Sequence, residues 1–300
     1  MKYGIVGHLC LDVIHLPDGS EVQSYGGIFF SLASLANIVD DDDLIYPVFG
    51  VGEVDYDEFI ERVRYYRNVF VDGIFKFPGL TNRVHLFYQD RKERTECSVH
   101  IAKPIGFDKI RYLIDVGVDG IFINMISGFD VELGTLKKLR ENYRCYIHFD
   151  VHSMTLGVDE KNIRYRVRLR DWREWFENVD TVQMNEFESK SIGEPGWSDD
   201  ELAEEVLKLG VKAMVITRAN LGATVYYFDN GPKRADLKAY DVEVVDPTGC
   251  GDVFGSAFFY KFSKTKNPIA STDFANFVAG LNATIPGSTQ IDKLKELVKR

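Results

Sequence analysis

The stretch VEVVDPTGCGDVF, at residues 242–254, predicts a strand over Val242–Val245, then a turn with two glycines, then an apolar helix. Glycines permit positive φ and let a ligand approach the backbone. The first turn of a helix presents unpaired N–H groups and the positive end of the helix dipole. A strand, a glycine turn and a helix start in this order therefore predict a site for an anion.

Asp252 stands at the start of the predicted helix, where the dipole favours the ionised carboxylate. A carboxylate repels an anionic ligand, but it can accept a proton from an attacking hydroxyl, a role worth ~10²–10⁴ in rate. The alternative is that Asp252 only caps the helix. Local sequence leaves both interpretations open.

Strand-like apolar runs recur along the chain, and most are separated by segments with helical periodicity. The runs are Tyr3–Val6, Leu44–Phe49, Gly120–Ile126, Tyr146–Val151, Thr181–Met184 and Ala213–Thr217. The predicted helices are Ile28–Val39, Asp57–Arg67, Val131–Asn142, Asp199–Leu209, Asp252–Phe262, Pro268–Thr284 and Asp292–Lys299. This alternation predicts an α/β fold in which helices cover both faces of a parallel sheet, with the chemistry at the carboxyl ends of the strands.

Residues 70–101 interrupt the alternation of strands and helices, and the whole chain, 1–300, is otherwise expected to form one domain. Short β-rich pieces at Val71–Phe77, Val84–Tyr88 and Thr95–Ile101 flank a polar turn at Gln89–Lys92. They predict a small antiparallel sheet inserted into the α/β domain. Such a sheet is open on one face, so a lid over the site, a dimer contact and a decorated edge remain alternatives.

Composition narrows the classes of function. The chain has 300 residues, 45% of them hydrophobic, and a net charge of −10, which gives no overall attraction to nucleic acid or anionic lipid. No apolar stretch reaches the roughly 18 residues of a spanning helix, so no membrane association and a cytoplasmic location are expected. The four cysteines form no Cys-x-x-Cys pair, which favours reduced thiols.

Residues 246–254, DPTGCGDVF, resemble the carboxyl-terminal signature of the ribokinase-like (PfkB) carbohydrate kinases. The resemblance implies a Rossmann-like, three-layer α/β/α fold with a small β lid, and ATP-dependent phosphorylation of a hydroxyl on a sugar or related polyol. It implies that Asp252 is the catalytic base and that Gly249, Cys250 and Gly251 supply the anion hole. Cys250 replaces the family's usual alanine, and Ala257 stands where the family often has glycine.

Earlier motifs resemble the family's acceptor site. Gly7–Asp12 is similar to Gly-x-x-x-x-Asp, in which the aspartate, here Asp12, binds sugar hydroxyls. Gly26 and Gly27 resemble the amino-terminal Gly-Gly signature, whose amides line the substrate pocket. Ser31 occupies the position of the family's later asparagine, and its shorter reach bears on which substrate fits.

Later motifs resemble the family's nucleotide site. Asn185 and Glu188 match Asn-x-x-Glu, which implies Mg²⁺ held by Glu188 through water; the same pair also fits a plain capping box. Thr217 and Gly222 match the loop that contacts the ATP phosphates, with Ala219 at its first glycine position. The resemblance implies that Asn282 belongs to the adenine pocket. Whether a monovalent cation is also bound is left open.

Two further patterns carry no assigned role. His148 and His152 flank Asp150 near a strand end, where packing is favoured over metal binding. The basic run Arg164–Arg170 alternates with apolar residues, and is either a half-exposed strand or loop, a site for a phosphate on the substrate, or a contact with a second subunit.

Functional alternatives also remain. The chain lacks both the P-loop pattern and Gly-x-Gly-x-x-Gly after a strand. A nucleoside or phosphosugar kinase of the same fold, a non-catalytic sugar or nucleotide sensor, and a homodimer formed through the lid are all compatible with the sequence.

Overall fold

A nine-stranded central sheet organises the chain in the computed structural model, which describes residues 1–15, 19–88 and 94–299. In spatial order its strands are β15, β14, β13, β12, β9, β8, β1, β4 and β5. Their bounds are β1 Lys2–Val6, β4 Leu44–Gly52, β5 Ile74–Phe77, β8 Gly120–Asn124, β9 Tyr146–Asp150, β12 Thr181–Asn185, β13 Ala213–Thr217, β14 Ala223–Phe228 and β15 Pro232–Leu237. All neighbours from β13 to β5 are parallel, whereas β14 and β15 pair antiparallel at the edge. The six predicted strand runs are confirmed within one to three residues at each end.

Among the described residues, ten α-helices connect or cover the strands. They are α1 Ile28–Ile38, α2 Tyr56–Val63, α3 Phe107–Val116, α4 Leu133–Asn142, α5 Trp172–Phe176, α6 Glu186–Ile192, α7 Asp199–Lys208, α8 Cys250–Thr265, α9 Pro268–Ala283 and α10 Leu294–Leu297. All seven predicted helices are present, although Asp292–Lys299 shrinks to a short 3₁₀ turn followed by α10. The sequence interpretation missed α3. It did not give bounds for α5 and α6, although the capping-box interpretation of Asn185 and Glu188 already placed a helix start at α6.

The helices form a layer on each face of the sheet. On β1, the ring of Tyr3 packs edge-on against Phe259 of α8, with ring centroids 5.4 Å apart. The next residue, Gly4, faces Leu113 of α3. Successive residues of a strand point to opposite faces, so α8 and α3 cover opposite sides. The predicted three layers are confirmed.

A four-stranded second sheet lies beside the central one, in the order β3, β2, β6, β7, where β2 is Leu9–His15, β3 Glu21–Gly27, β6 Asn82–Tyr88 and β7 Arg94–Val99. The predicted insertion at 70–101 is thus corrected in two ways. Ile74–Phe77 belongs to the central sheet, because it pairs in parallel with β4. The small sheet gains β2 and β3, and its β2–β6 pair is parallel, so it is mixed rather than antiparallel. The predicted turn Gln89–Lys92 lies outside the described residues.

The predicted strand at Val242–Val245 is wrong. These residues pair with no strand in the part of the chain that the structure describes, and Val244 and Val245 are exposed. β-branched residues favour an extended chain, but without a neighbouring strand the backbone forms only a connection. Its end is fixed instead by the amides of Val245 and Asp246, which both donate to the Ala283 carbonyl of α9. The glycine turn and the helix that follow are confirmed.

Polar residues collect where β8, β9, β12 and β13 end. Asn124, Asp150, Asn185 and Thr217 are the last residues of these four strands. Parallel strands bring their carboxyl ends to one edge, so these side chains face the same region, next to the start of α8. Within residues 1–15, 19–88 and 94–299, no helix is long and apolar enough to cross a membrane.

Candidate active site

A cavity of about 850 Å³ opens at this edge, between the central sheet and the small sheet. It is lined by residues of both sheets and by the glycine turn before α8. The predicted site residues that line it are Asp12, Gly27, Asn185, Glu188, Thr217, Gly249, Cys250, Gly251 and Asp252. The other four, Gly26, Ser31, Gly222 and Asn282, do not line it.

Asp252 lies in the first turn of α8 and is only 7% exposed. Its Oδ1 accepts a hydrogen bond from Asn124 Nδ2 at 2.8 Å, and His152 Nε2 lies 3.7 Å from the same oxygen. Burial raises the pKa of Asp252, while His152 and Asn124 act in the opposite direction. Burial therefore outweighs the effect of the helix dipole that the sequence suggested, and Asp252 is a stronger base than an exposed aspartate.

Two further buried carboxyls share this wall of the cavity. Burial and the charges of Glu188 and Asp252 raise the pKa of Asp150 well above its ordinary value. Burial raises the pKa of Glu188 to about 7, against the charges of His152 and Arg166. Gln183 joins the group, because its Nε2 donates to Asp150 Oδ2 at 2.9 Å and to the Gly251 carbonyl at 3.0 Å. Three carboxyls that resist ionisation together favour a bound cation or shared protons.

This group predicts a pH dependence of stability. The folded chain binds a proton on Glu188 more tightly than the unfolded chain does, so the free energy of unfolding falls as pH rises from 4.5 to about 7. Thermal unfolding with a chelator present, at about pH 5 and about pH 7.5, should show a smaller decline in Glu188→Gln than in the natural protein. Equal declines in both proteins would contradict this account of Glu188.

The turn before α8 depends on one glycine. Gly249 has φ 74°, and a Cβ there would lie 2.2 Å from the ring of Phe30 in α1. The Cys250 amide donates to the Pro247 carbonyl at 3.2 Å, so this turn already uses one of the three predicted anion-hole amides. The amides of Gly249 and Gly251 have no backbone acceptor in the described part of the chain.

Cys250 and Asn282 have structural contacts here. Asn282 Nδ2 donates to the Thr248 carbonyl at 3.1 Å and lies 3.4 Å from Cys250 Sγ. Burial raises the pKa of Cys250 to about 11. The thiol therefore stays protonated at neutral pH and serves as a small filler, while Asn282 ties α9 to the glycine turn.

The residues predicted to bind the acceptor lie on β2, on β3 and in α1. Asp12 lines the cavity, and a Cβ at Gly26 would lie 2.1 Å from Asp12 Oδ2, so a glycine is needed beside that carboxylate. Ser31 is fully buried and accepts a hydrogen bond from Asn124 Nδ2 at 3.1 Å. Ser31 thus supports the residue that holds Asp252, and does not line the cavity as the motif suggested.

The capping-box interpretation of Asn185 and Glu188 is confirmed. They form a capping box at α6, in which Asn185 Oδ1 accepts from the Glu188 amide at 3.0 Å and Glu188 Oε2 accepts from the Asn185 amide at 2.7 Å. Both side chains nevertheless line the cavity. In the described part of the chain, no group of three histidine, cysteine or acidic side chains has the arrangement of a complete metal site.

The loop after β13 carries the strain expected from its sequence. Ala219 has φ 48°, a conformation that costs an L-residue roughly 1–2 kcal/mol. Gly222 has φ 96°, and a Cβ there would lie 2.0 Å from the Leu237 carbonyl. Arg218, a candidate for binding phosphate, is paired with Asp199 at 2.7 Å.

Replacing Ala219 by glycine should therefore stabilise the fold. The strain energy that glycine relieves exceeds the entropic cost of its greater flexibility in the unfolded chain. We therefore expect the free energy of unfolding, measured by urea titration, to rise by roughly 0.5–1 kcal/mol. The same change at the neighbouring Ala223, a buried strand residue, is the control and should destabilise the protein. A loss of stability in Ala219→Gly would refute the strain.

Comparisons with known proteins agree with this geometry. Residues 158–294, which include the glycine turn, Asn185 and Glu188, match the model of the pfkB family of carbohydrate kinases. The whole chain superimposes on ribokinase from Thermotoga maritima with a TM-score of 0.78 at 19% identity, covering 99% of each chain. The match to the pfkB family model thus covers the carboxyl-terminal part of the chain, and the structural likeness covers all of it. The fold of the chain is the ribokinase-like α/β fold with a small extra sheet.

Two other proteins that resemble this chain bear on function. A protein of Thermococcus kodakarensis described as cytidine kinase is 27% identical over 265 residues, which cover 87% of this chain and 88% of that protein. An uncharacterized sugar kinase of Pyrococcus horikoshii, solved in complex with ATP, has a TM-score of 0.71 at 19% identity and covers 98% of its own chain and 100% of this one. The relatives are kinases, and their named acceptors differ.

Sequence reasoning gave no role at this site to four polar residues, namely Asn82, Asn124, His152 and Gln183. Asn124 ends β8, and its place at a predicted strand end was a usable signal. His152 was assigned to packing, but it lines the cavity. His148, in contrast, is fully buried among aromatic rings, as expected.

The basic run Arg164–Arg170 is not one strand. Only Arg164–Arg166 is extended, as β11, paired with Leu156–Val158. Arg164 and Arg166 line the cavity, whereas Arg168 contacts Glu194 at 3.6 Å on another part of the surface. Arg164 is occupied by Ser98 Oγ at 2.9 Å and the Ser127 carbonyl at 2.8 Å.

Proposed function

We propose that this kinase transfers the γ-phosphoryl group of ATP to a hydroxyl of a sugar or sugar-containing acceptor, with Asp252 as the general base. The observation that carries the proposal is a buried carboxylate at the wall of a large cavity, next to the amides of a glycine turn. Asn124 fixes one of its oxygens at 2.8 Å. A base needs a fixed position near the attacking hydroxyl, and the raised pKa of Asp252 increases its ability to take the proton.

The acceptor would bind between β2 and the glycine turn. Asp12 and Asn82 offer oxygens and an amide to hydroxyl groups, and the Gly27 backbone lies at the cavity wall. The acceptor hydroxyl would then give its proton to Asp252. The Gly249 and Gly251 amides and the amino-terminal end of α8 would stabilise the phosphoryl group during transfer.

Mg²⁺ fits the set of buried carboxyls on this wall of the cavity. Glu188 and Asp150 are buried acids whose raised pKa values would fall next to a cation, and hard oxygen ligands suit this ion. These two residues would hold Mg²⁺ through water, and the ion would neutralise charge on the ATP phosphates. The small sheet would exclude water that otherwise hydrolyses ATP.

A nucleoside is the second candidate acceptor. The acceptor side of the cavity is lined by apolar side chains in addition to the polar ones, namely Val84, Leu86, Ile101 and Ile126. A bare polyol has little apolar surface to place there, whereas a nucleobase has two faces. The relative described as cytidine kinase, matched over 265 residues, favours the same acceptor.

A panel of acceptors tests the proposal. Free pentoses and hexoses, myo-inositol, cytidine and other nucleosides are incubated with ATP and Mg²⁺, and ADP release is followed. We expect ADP release above the acceptor-free rate with at least one sugar or nucleoside, and nucleosides alone would select the second candidate. Binding of an acceptor without any ADP release would instead support a sensor.

A further inference from the structure

Two oppositely charged side chains line the cavity at the edge of the small sheet. Glu96 lies on β7, the last strand of that sheet, and Arg164 lies on β11, outside it. Burial lowers the pKa of Arg164, and the charge of Glu96 is near enough to act in the opposite direction. This effect is exerted through space, without a hydrogen bond between the two side chains. Each of them therefore keeps hydrogen-bonding capacity for a ligand.

The guanidinium of Arg164 is held in a fixed position by uncharged groups. Its Nε donates to Ser98 Oγ of β7 at 2.9 Å, and its Nη1 donates to the Ser127 carbonyl, just after β8, at 2.8 Å. Ser98 is only 2% exposed. Nη2 takes part in neither bond and has no partner among the described residues. Arg164 thus offers donors to a ligand in an orientation that is already set, which favours specific binding.

Strand pairing sets the distance from this pair to Asp12, the carboxylate predicted to bind sugar hydroxyls. Asp12 on β2 is opposite Val84 on β6, and Val84 is opposite Ser98 on β7. Residues opposite each other place their side chains on the same face of a sheet. Two strand spacings therefore separate Asp12 from Ser98, which is roughly 10 Å. This distance is comparable to the span of a nucleoside from its ribose hydroxyls to the outer edge of its base.

The surroundings of the pair favour a flat and uncharged ligand. Leu86 is opposite Glu96, and both Leu86 and Val84 line the cavity between Glu96 and Asp12. Apolar side chains in this position can pack against the face of a base. A phosphate or carboxylate on the acceptor would be attracted by Arg164 but repelled by Glu96. The edge of a base offers donors and acceptors together, which suits both residues.

We propose that Glu96 and Arg164 read the edge of a nucleobase on the acceptor and select cytidine over uridine. The inference rests on the proposed function and chooses its second candidate acceptor. Cytosine presents an amino group beside two acceptors, its ring nitrogen and its carbonyl oxygen. Glu96 accepts from the amino group, and Arg164 donates to the two acceptors. Uracil has a carbonyl oxygen in place of the amino group, and this oxygen would face the Glu96 carboxylate without a proton between them.

Glu96→Gln tests the reading of the amino group. Glutamine has nearly the same shape, but its amide can donate to the carbonyl oxygen of uracil as well as accept from the amino group of cytosine. With ATP and Mg²⁺, the natural protein should show a kcat/KM at least about tenfold higher for cytidine than for uridine. In Glu96→Gln the two values should differ by less than about threefold. A preference that Glu96→Gln leaves unchanged overturns the inference.

Arg164→Lys and Arg168→Lys form a matched pair. Lysine keeps the charge but loses the planar group that Ser98 and Ser127 orient, so Arg164→Lys should raise the KM for cytidine about tenfold, and more than the KM for uridine. Arg168 belongs to the same basic run, but it does not line the cavity and contacts Glu194 at 3.6 Å. Arg168→Lys should leave both KM values within about twofold. If Arg164 only braced the fold, Arg164→Lys would affect both nucleosides equally, and this result would contradict its part in the proposal.

Binding without turnover separates this inference from the proposed function. Calorimetry without ATP gives the Kd of cytidine, uridine and ribose 5-phosphate for the natural protein and for Glu96→Gln. We expect cytidine to bind at least about tenfold more tightly than the other two, and Glu96→Gln to lose the preference over uridine. Equal binding of cytidine and uridine, or tighter binding of ribose 5-phosphate, would overturn the inference even if a sugar is phosphorylated. Selective cytidine binding with no ADP release would support the inference and refute the transfer reaction.

Discussion

Asp252→Asn should lower kcat by ~10²–10⁴, because asparagine cannot take the proton of the acceptor hydroxyl. The change is nearly isosteric. Asn124 Nδ2, which now donates to Asp252 Oδ1 at 2.8 Å, can donate to the side-chain oxygen of the new asparagine. The fold should therefore be retained. Burial raises the pKa of Asp252. Replacing this acid with an uncharged amide also removes its repulsion with Asp150 and Glu188. We expect thermal stability at pH 7.5 to be equal or higher.

The assay should separate chemistry from binding. Single-turnover rates with ATP and the best acceptor report the transfer step, and calorimetry reports ATP affinity, which should change by less than about threefold. Asp246→Asn is the matched control, since Asp246 also lines the cavity but its Oδ1 caps the Thr248 amide at 2.9 Å, a contact that asparagine keeps. Its loss of rate should be far smaller. Near-natural turnover in Asp252→Asn would falsify the assignment of the base.

Among single alanine substitutions in the glycine turn, Gly249→Ala should be the most destabilising. A positive φ of 74° costs alanine roughly 1–2 kcal/mol, and the new Cβ overlaps the Phe30 ring at 2.2 Å, which adds roughly 1–3 kcal/mol. The free energy of unfolding should fall by roughly 2–5 kcal/mol in a urea titration. Any residual folded protein should also bind ATP weakly, because the turn amides are displaced.

Gly251→Ala is the control for Gly249→Ala. Gly251 is two residues along and helical, and a Cβ at this position would meet no heavy atom within 4 Å. Alanine favours a helix over glycine by about 1 kcal/mol, so this variant should be as stable as the natural protein or more so. Equal destabilisation of the two variants would contradict the contact between Gly249 and Phe30.

Much of the fold was predictable because its strands are buried on both faces. Runs such as Ala213–Thr217 are continuous and apolar, and only a covered parallel sheet tolerates them. Helix α3 was also within reach, since Phe107, Ile110 and Leu113 follow the i, i+3 spacing of a helix face. Val242–Val245 shows the opposite case. Its residues favour a strand, but whether a partner strand lies alongside is decided elsewhere in the chain.

The candidate site was predictable where its residues are neighbours in sequence. Gly249, Gly251 and Asp252 belong to one turn, and local chemistry points to their roles. His152 could not be assigned in this way, because its contact with Asp252 joins residues 100 positions apart. Nor could Ser31, which supports Asn124 from α1 behind the cavity wall. Such contacts follow from how strand ends and helices meet in space.

The connection between the two sheets couples the two substrates. Gly27 ends β3 of the small sheet and is also the N-cap of α1, so no linker separates them. Three residues later, Phe30 packs against Gly249 at the glycine turn. If an acceptor moved the small sheet, α1 would carry that movement to the turn whose amides are proposed to hold the phosphoryl group. Under the proposed function, such a link would delay cleavage of ATP until an acceptor is in place.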